Sequence, residues 1–363
     1  MSADRGTGGL AAHVALVAAS VLFSLLFLEL GCRLVRMGPK GLVHWPNIAR
    51  QHMSNAENGA DLCTYAYDAQ LGWTSPSNCT SAGYNIDADG FRKTSAGPAL
   101  MQPPVLVTGS SFAKGDEVAD EEAWPAYLQG MLGRRVLNGG VGGYSLDQTV
   151  LRAERLAPQA KPMLVIASFT PDDVRRTELK VAWSRDKPYF TVTGGHLELQ
   201  NVPVPGRPGA RVPAPIAAHV LGWSALADLV ADRLSIFDGW YYDEVQGAPR
   251  GSGPEIACLL MQRLAGLGVP VIVLAEYSRG HWMADAEGKA RDFARTGPVL
   301  ACAEKAGLIP LNMAEPLKPL IAKRGIDAIF RTDHHSAEGN RATAEAIMHE
   351  LAGRHLLTRT VTR

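Results

Sequence analysis

The chain has 363 residues, with 36 Lys and Arg against 36 Asp and Glu, so its formal net charge is zero and no global field draws it toward nucleic acid. Hydrophobic residues at 46% and charged residues at 20% exclude intrinsic disorder, and five cysteines in this length exclude a small disulfide-built scaffold. The length suits one large domain or about two of ordinary size.

The first predicted element is apolar. Val14 to Leu28 is an unbroken run of apolar or small residues, and tolerating His13 and Glu29 extends it from Leu10 to Cys32, enough to cross a bilayer. Residues 1–9 then read as a tail and 10–36 as a transmembrane anchor whose partner is membrane lipid. A cleaved signal peptide needs a small-x-small site, but Glu29, Leu30, Gly31, Cys32 and Arg33 follow, so the helix is expected to be retained. Glu29 also stands where lipidation of Cys32 would want an aliphatic residue. Sidedness is pulled two ways. Arg33, Arg36 and Lys40 after the helix favour a cytoplasmic domain, whereas Cys63 and Cys79, bracketing a polar loop, and Cys258 with Cys302 suit disulfides in an oxidising compartment. Free buried thiols are the other reading of these cysteines.

Residues 37–97 form a polar juxtamembrane segment punctuated by Leu71-Gly72-Trp73 and Asp89-Gly90-Phe91-Arg92. From there to 363 the pattern alternates: a strand Val105–Val107, a helix with Trp124, Leu128 and Leu132 at spacing four, a strand Val136–Leu137, a helix around Val150 and Leu151, and a strand Met163–Phe169. A helix over Gln262–Leu267, a strand over Val269–Ala275 and a closing helix over Gly339–Leu351 follow. Such alternation predicts an α/β domain with a central parallel sheet between helices. About 175–254 the pattern lapses into Pro, Gly and aromatic residues, including Lys187 to Phe190, Asn201 to Pro205 and Trp240 to Tyr242. This reads as an insertion or lid.

Three segments carry chemistry. The first strand runs into Thr108-Gly109-Ser110-Ser111-Phe112, placing hydroxyls beyond a strand's carboxyl end, where α/β sheets build their sites. Asn138-Gly139-Gly140-Val141-Gly142-Gly143-Tyr144 is a glycine-rich turn whose N–H groups can approach a substrate closely. It lacks the Lys-Ser/Thr of a phosphate loop. Near the end stand Asp333, His334 and His335: a serine hydroxyl becomes nucleophilic when an imidazole takes its proton and a carboxylate fixes that imidazole. Helix capping by the serines and a solvated histidine loop are the structural readings of the same residues. Asp172, Asp173, Asp333, His334 and His335 also form a donor set for metal, but their spacing matches no zinc signature, and neither metal nor cofactor is expected. His44, His52, His196, His219 and His281 have no clustered partners and read as ordinary polar residues.

Together these segments resemble the SGNH (GDSL-like) hydrolases. Gly109-Ser110-Ser111-Phe112 is similar to the family's first block, with Ser111 at the nucleophile and Ser110 where Asp is usual. Asn138 through Tyr144 is similar to the second, with Gly143 as oxyanion donor, and Asp333-His334-His335 to the fifth. The resemblance implies a three-layer α/β/α fold over about 104–352 and a triad of Ser111, His335 and Asp333 acting on an acylated envelope carbohydrate or another ester, by hydrolysis or acyl transfer. Leu71-Gly72-Trp73 and Gly90-Phe91-Arg92 resemble membrane-anchored bacterial members, implying a single-pass inner-membrane protein with an extracytoplasmic domain. The third block departs: Thr170-Pro171-Asp172-Asp173 puts Asp172 where the family's donor Asn stands, and an ionised carboxylate donates no hydrogen bond. Asp172 can instead pair with Arg175 or Arg176. The other functional class that this departure supports is a non-catalytic binding or assembly component of envelope polysaccharide synthesis.

Overall fold

The computed structural model describes residues 6–48, 63, 65–81, 83–94, 101–183, 185–205, 216–234 and 251–356. The predicted features at His52 and Trp240 to Tyr242 lie outside them. The chain forms two units, one of residues 1–59 and 212–248 and one of 60–211 and 249–363. The stretch from residue 60 to 97 falls in the larger unit, and the stretch 175–254 is divided between the two.

The larger unit is built on a five-stranded sheet: β1 Met101–Thr108, β2 Arg134–Asn138, β3 Leu164–Phe169, β4 Val271–Ala275 and β5 Ile309–Asn312, in the order β5-β4-β3-β1-β2. Every pairing is parallel, as in Val107 against Ile166 and Ile272 against Ile309. Side-chain alternation along each strand supplies two cores. Val165, Ala167 and Phe169 of β3 face Val150, Ala153, Leu260 and Val299 from the helices Leu146–Ala160, Gly253–Ala265 and Ala286–Lys305. Leu164 and Ile166 face Trp124, Leu128, Leu317 and Ile347 from Trp124–Leu132, Ala314–Arg324 and Ala337–Gly353 on the other side. The fold is thus the expected three-layer α/β/α. Strand order reverses at β1, so the turn that follows it lies at the topological switch point, where such sheets bind ligands.

Elements read from periodicity extend or shift by a few residues; the Gln262–Leu267 helix, for example, is Gly253–Ala265. The helices Ala286–Lys305 and Ala314–Arg324 and the strand β5 carry no sequence prediction, because Pro298, Pro319 and Pro310 interrupt their patterns.

The stretch around residues 65–94 is folded onto the larger unit. Ala66–Asp68 pairs antiparallel with Gly72–Thr74, and Cys63 is disulfide-bonded to Cys79, as Cys258 is to Cys302. Trp73 Nε1 donates to the Gly142 carbonyl at 3.1 Å, and Tyr144 returns a bond to the Trp73 carbonyl at 2.6 Å. Arg92 is fully buried. Its backbone N–H donates to Asn138 O at the end of β2, and its guanidinium reaches the carbonyls of Lys114, Gly115 and Val118 and the carboxylate of Asp120. The two Gly-containing turns of this stretch therefore clamp the two loops that leave β1 and β2.

Those loops also interlock directly. A Cβ at Gly140 would lie 2.3 Å from the Lys114 amide nitrogen and 2.8 Å from the Ala113 carbonyl carbon, and neither backbone atom can swing aside. Gly140→Ala is expected to lower stability by about 1–3 kcal/mol through this clash, measurable as a fall in the urea midpoint.

In the smaller unit the N-terminal helix spans Gly6–Met37 and is, among the described residues, the one helix long and apolar enough to cross a membrane; its apolar stretch is uncovered.

Candidate active site

The turn after β1 becomes the short helix Ser111–Lys114, which ends on Gly115 in the left-handed conformation. Ser111 is thereby the first helical residue, and the chain continues through Asp116 to Glu117. The last helix, Ala337–Gly353, is capped by Ser336, whose Oγ accepts the Gly339 N–H at 3.2 Å, and this fixes the loop before it.

The loop delivers His334 to Ser111. His334 Nε2 lies 2.7 Å from Ser111 Oγ, and its Nδ1 lies 2.9 Å from Glu117 Oε1. An ionised carboxylate only accepts, so Nδ1 carries the proton and Nε2 is left to accept from the serine hydroxyl. Glu117 also accepts the backbone N–H groups of Thr332 at 2.8 Å and Asp333 at 3.4 Å. It holds this position at φ 69°, a left-handed conformation that a side-chain-bearing residue adopts at a cost of about 1–2 kcal/mol. Burial works to lower the His334 pKa, but the Glu117 bond and the charges of Asp116, Glu117 and Asp333 outweigh it and hold the imidazole above its ordinary value.

These contacts correct the histidine assignment. His335, expected as the base, points away from Ser111 into the core, where it is 2% exposed and packs on Phe112 and Phe330 with ring centroids 5.1 and 5.0 Å apart. Its backbone bridges antiparallel to Phe330, and successive side chains on extended backbone face opposite sides, so only one of the two histidines can meet the serine. Asp333, expected as orienter, is exposed, and among the described residues its carboxylate makes no hydrogen bond to either ring. It acts on His334 through charge alone. Glu117 occupies the orienting position instead. The sequence signal for it was Gly115-Asp116-Glu117, two carboxylates one short turn beyond the serine.

Asp172 cannot donate to an oxyanion. Its half-exposed carboxylate accepts from Arg175 Nε at 2.7 Å and from Arg176. Burial acts to raise its pKa, but the two guanidiniums win and hold it down to about 2. Its neighbour Asp173 is buried and pushed up to about 6; it accepts the Ser110 hydroxyl at 2.9 Å and the Thr170 N–H at 2.8 Å, which ties β1's turn to β3's. Gly143 sits at φ 76° with the Trp183 indole in the space a side chain would need, 2.6 Å from where a Cβ would stand, and its carbonyl accepts Trp183 Nε1 at 3.0 Å. The residues weighed as a metal set are split: Asp172 and Asp173 engage arginines, Asp333 is exposed, and the two histidines face opposite ways. Among the described residues no group of three His, Cys, Asp or Glu gathers closely enough to hold an ion.

Behind His334 lies a second buried pair. Glu276, at the end of β4, is fully buried and accepts the Ser168 hydroxyl on Oε1, while its Oε2 stands 3.7 Å from His335 Nδ1. Burial pushes the Glu276 carboxyl up to about 8; burial and the charge of His334 push His335 down to about 3. Both groups are therefore neutral at pH 7.

No protein-family model and no curated protein matches the chain. Solved structures to which it is similar include LAE5, an alpha/beta hydrolase enzyme from the metagenome of Lake Arreo, Spain, at 14% identity and TM-score 0.42, covering 72% of this chain and 98% of that one. Axe2, an acetylxylan esterase from Geobacillus stearothermophilus, is similar at 15% identity and TM-score 0.40, covering 68% and 93%. TesA is similar at 14% identity and TM-score 0.40, covering 69% and 98%.

The buried pair gives a signed pH dependence. A carboxyl raised from 4.5 to about 8 binds more protons folded than unfolded across that window, so it removes stability as pH rises through it. His335, lowered from 6.5 to about 3, adds stability as pH rises between those values and nothing above 6.5. Glu276→Gln is therefore expected to retain stability between pH 6.5 and 8 relative to the unsubstituted protein, seen as diverging urea midpoints.

Proposed function

We propose that this protein is a membrane-tethered serine esterase or O-acyltransferase whose substrate is an acylated envelope carbohydrate. The observation that carries this reading is the continuous chain Ser111 Oγ, His334 Nε2, His334 Nδ1, Glu117 Oε1, with links of 2.7 and 2.9 Å. In the forward step His334 takes the hydroxyl proton as Ser111 Oγ bonds to the ester carbonyl carbon. The electron pair of the C=O moves to oxygen, and collapse of the tetrahedral adduct expels the alcohol, protonated by His334. Glu117 stabilises the imidazolium in between. Water or a sugar hydroxyl then takes the acyl group from Ser111 by the reverse sequence. Backbone N–H groups at Ser111 and Gly143 serve the oxyanion, since the Asp172 carboxylate is engaged by arginine. The exposed apolar N-terminal helix supports the tether, and the two disulfides support an oxidising compartment, the bacterial periplasm in this reading.

A second reading follows from Asp172: a domain that keeps the fold as a binding surface in envelope polysaccharide assembly and has lost acyl chemistry. One experiment separates the two. A fluorophosphonate probe is expected to label the full-length protein at Ser111, and Ser111→Ala and His334→Ala to abolish labelling. No labelling of the unsubstituted protein between about pH 6 and 9, the range in which a histidine base is neutral enough to act, would leave only the binding reading.

The orienting carboxylate sets the pH profile. His334 must be neutral to accept the proton, so its raised pKa limits activity on the acid side. Glu117→Gln is expected to lower kcat/KM on an aryl acetate by roughly 10²- to 10⁴-fold and to move the acid limb to lower pH. An unmoved limb would assign the orienting role elsewhere.

A further inference from the structure

The apolar run of the N-terminal helix, Leu10 to Leu28, rises about 28 Å at ~1.5 Å per residue, close to the ~30 Å of a bilayer's hydrocarbon core. The turn that follows carries Glu29 and Arg33, and both are buried, at 7% and 0% exposure. They bond to each other at 2.6 Å and to a segment two hundred residues away. Glu29 accepts the Ser224 hydroxyl at 2.7 Å and the backbone N–H groups of Ala225 and Leu226 at 2.8 and 2.9 Å, so it caps the helix Ala225–Arg233. Arg33 donates to the Trp223 carbonyl and stacks on Trp45 at 3.7 Å, and Arg36 pairs with Asp228 at 2.6 Å. Ile48 N–H donates to Gly222 O at 2.7 Å. Charges at this depth are costly unless satisfied, and here residues 223–228 satisfy them. The same bonds fix residues 222–226 at the level where the apolar run ends.

What flanks that fixed point is apolar and bare. Ile216 is 82% exposed, Val220 67%, Leu221 51% and Trp223 49%; Val43 is 86% exposed, and Trp45, which stacks on the same Arg33 that binds Trp223, is 42% exposed. Ile216 and Val220 stand four apart on the short helix Ile216–Leu221 and share a face. Water would penalise such a patch, whereas a bilayer's interfacial layer takes aliphatic side chains inward and holds tryptophan rings at headgroup level.

We infer that residues 216–226, together with 42–45, form a collar that lies in the headgroup and upper acyl layer of the bilayer crossed by the N-terminal helix. The inference rests on reading that helix as an anchor; it adds that the second contribution to the unit, from the insertion, is itself membrane-embedded and sets the depth of the anchor. The polar bonds of Glu29 and Arg33 then do two things at once, capping the helix Ala225–Arg233 and locking the collar to the N-terminal helix.

The test uses the full-length protein in phosphatidylcholine–phosphatidylglycerol vesicles, with lipids brominated near the top of the acyl chain as fluorescence quenchers. Flotation with the vesicles after an alkaline wash checks the anchor separately; protein that stays behind refutes the anchor reading. For protein that floats, tryptophan emission is expected to be quenched, and Trp223→Phe to remove a substantial part of that quenching while fluorophosphonate labelling is unchanged. Val220→Asp, at an exposed position, is expected to weaken Trp223 quenching without loss of flotation. Quenching that Trp223→Phe leaves unaltered, full access of Trp223 to aqueous iodide, or its shielding by crosslinkable contact with a second copy would each overturn the collar.

Discussion

The Glu117 carboxylate is the interaction on which the site depends. It gathers the Thr332 and Asp333 N–H groups and the His334 ring nitrogen from a loop more than two hundred residues further along the chain. The loop is held further by the Ser336 cap of the last helix, by the Phe330–His335 bridge and by the Arg279 N–H on the Asp333 carbonyl. With the loop held at these points, His334 meets Ser111. The left-handed backbone at Glu117 opposes this arrangement, and Arg92 supports it by binding the carbonyls of Lys114, Gly115 and Val118 on either side. A buried guanidinium engaged at all three of its nitrogens thus underlies the geometry of Ser111, His334 and Glu117.

Two adjacent histidines show how far environment governs chemistry. His334 sits among the carboxylates of Asp116, Glu117 and Asp333 and is biased toward the cation; His335, one residue on, is enclosed by Phe112, Phe330 and a protonated Glu276 and is held neutral. The paired aspartates after β3 divide the same way, Asp172 ionised against two arginines and Asp173 drawn upward by burial. In each pair the side chain reaching solvent and charge is biased toward its ionic form, and the one turned inward toward its neutral form.

Segments that look like punctuation in the sequence hold the site together. Leu71-Gly72-Trp73 and Gly90-Phe91-Arg92 clamp the two loops that leave β1 and β2, with Gln148 reaching the Leu71 carbonyl and Arg152 bridging the Gly90 and Gly139 carbonyls. The insertion is likewise structural in each of the two units. Its first part returns Trp183 to Gly143 and buries Lys187 against Asp147 at 2.7 Å, and its second part binds Glu29 and Arg33 of the N-terminal helix.

By itself the sequence determined the apolar helix, the alternation of strands and helices, the serine after β1 and the glycine-rich turn, because each depends on local periodicity or on a residue type suited to a local backbone. The imidazole that meets Ser111 is one residue from the one expected, and that difference was decided by the Phe330–His335 bridge, a choice of which face turns inward. Glu117, Glu276 and the partner of Glu29 likewise became visible only when the chain folded, since their roles come from groups up to two hundred residues away and from the exclusion of water. Helices with Pro298 and Pro319 escaped local reading for the related reason that tertiary packing outweighs the helix-breaking tendency written into the segment. Periodicity fixes which stretches are regular; burial and distant charge decide which side chains meet.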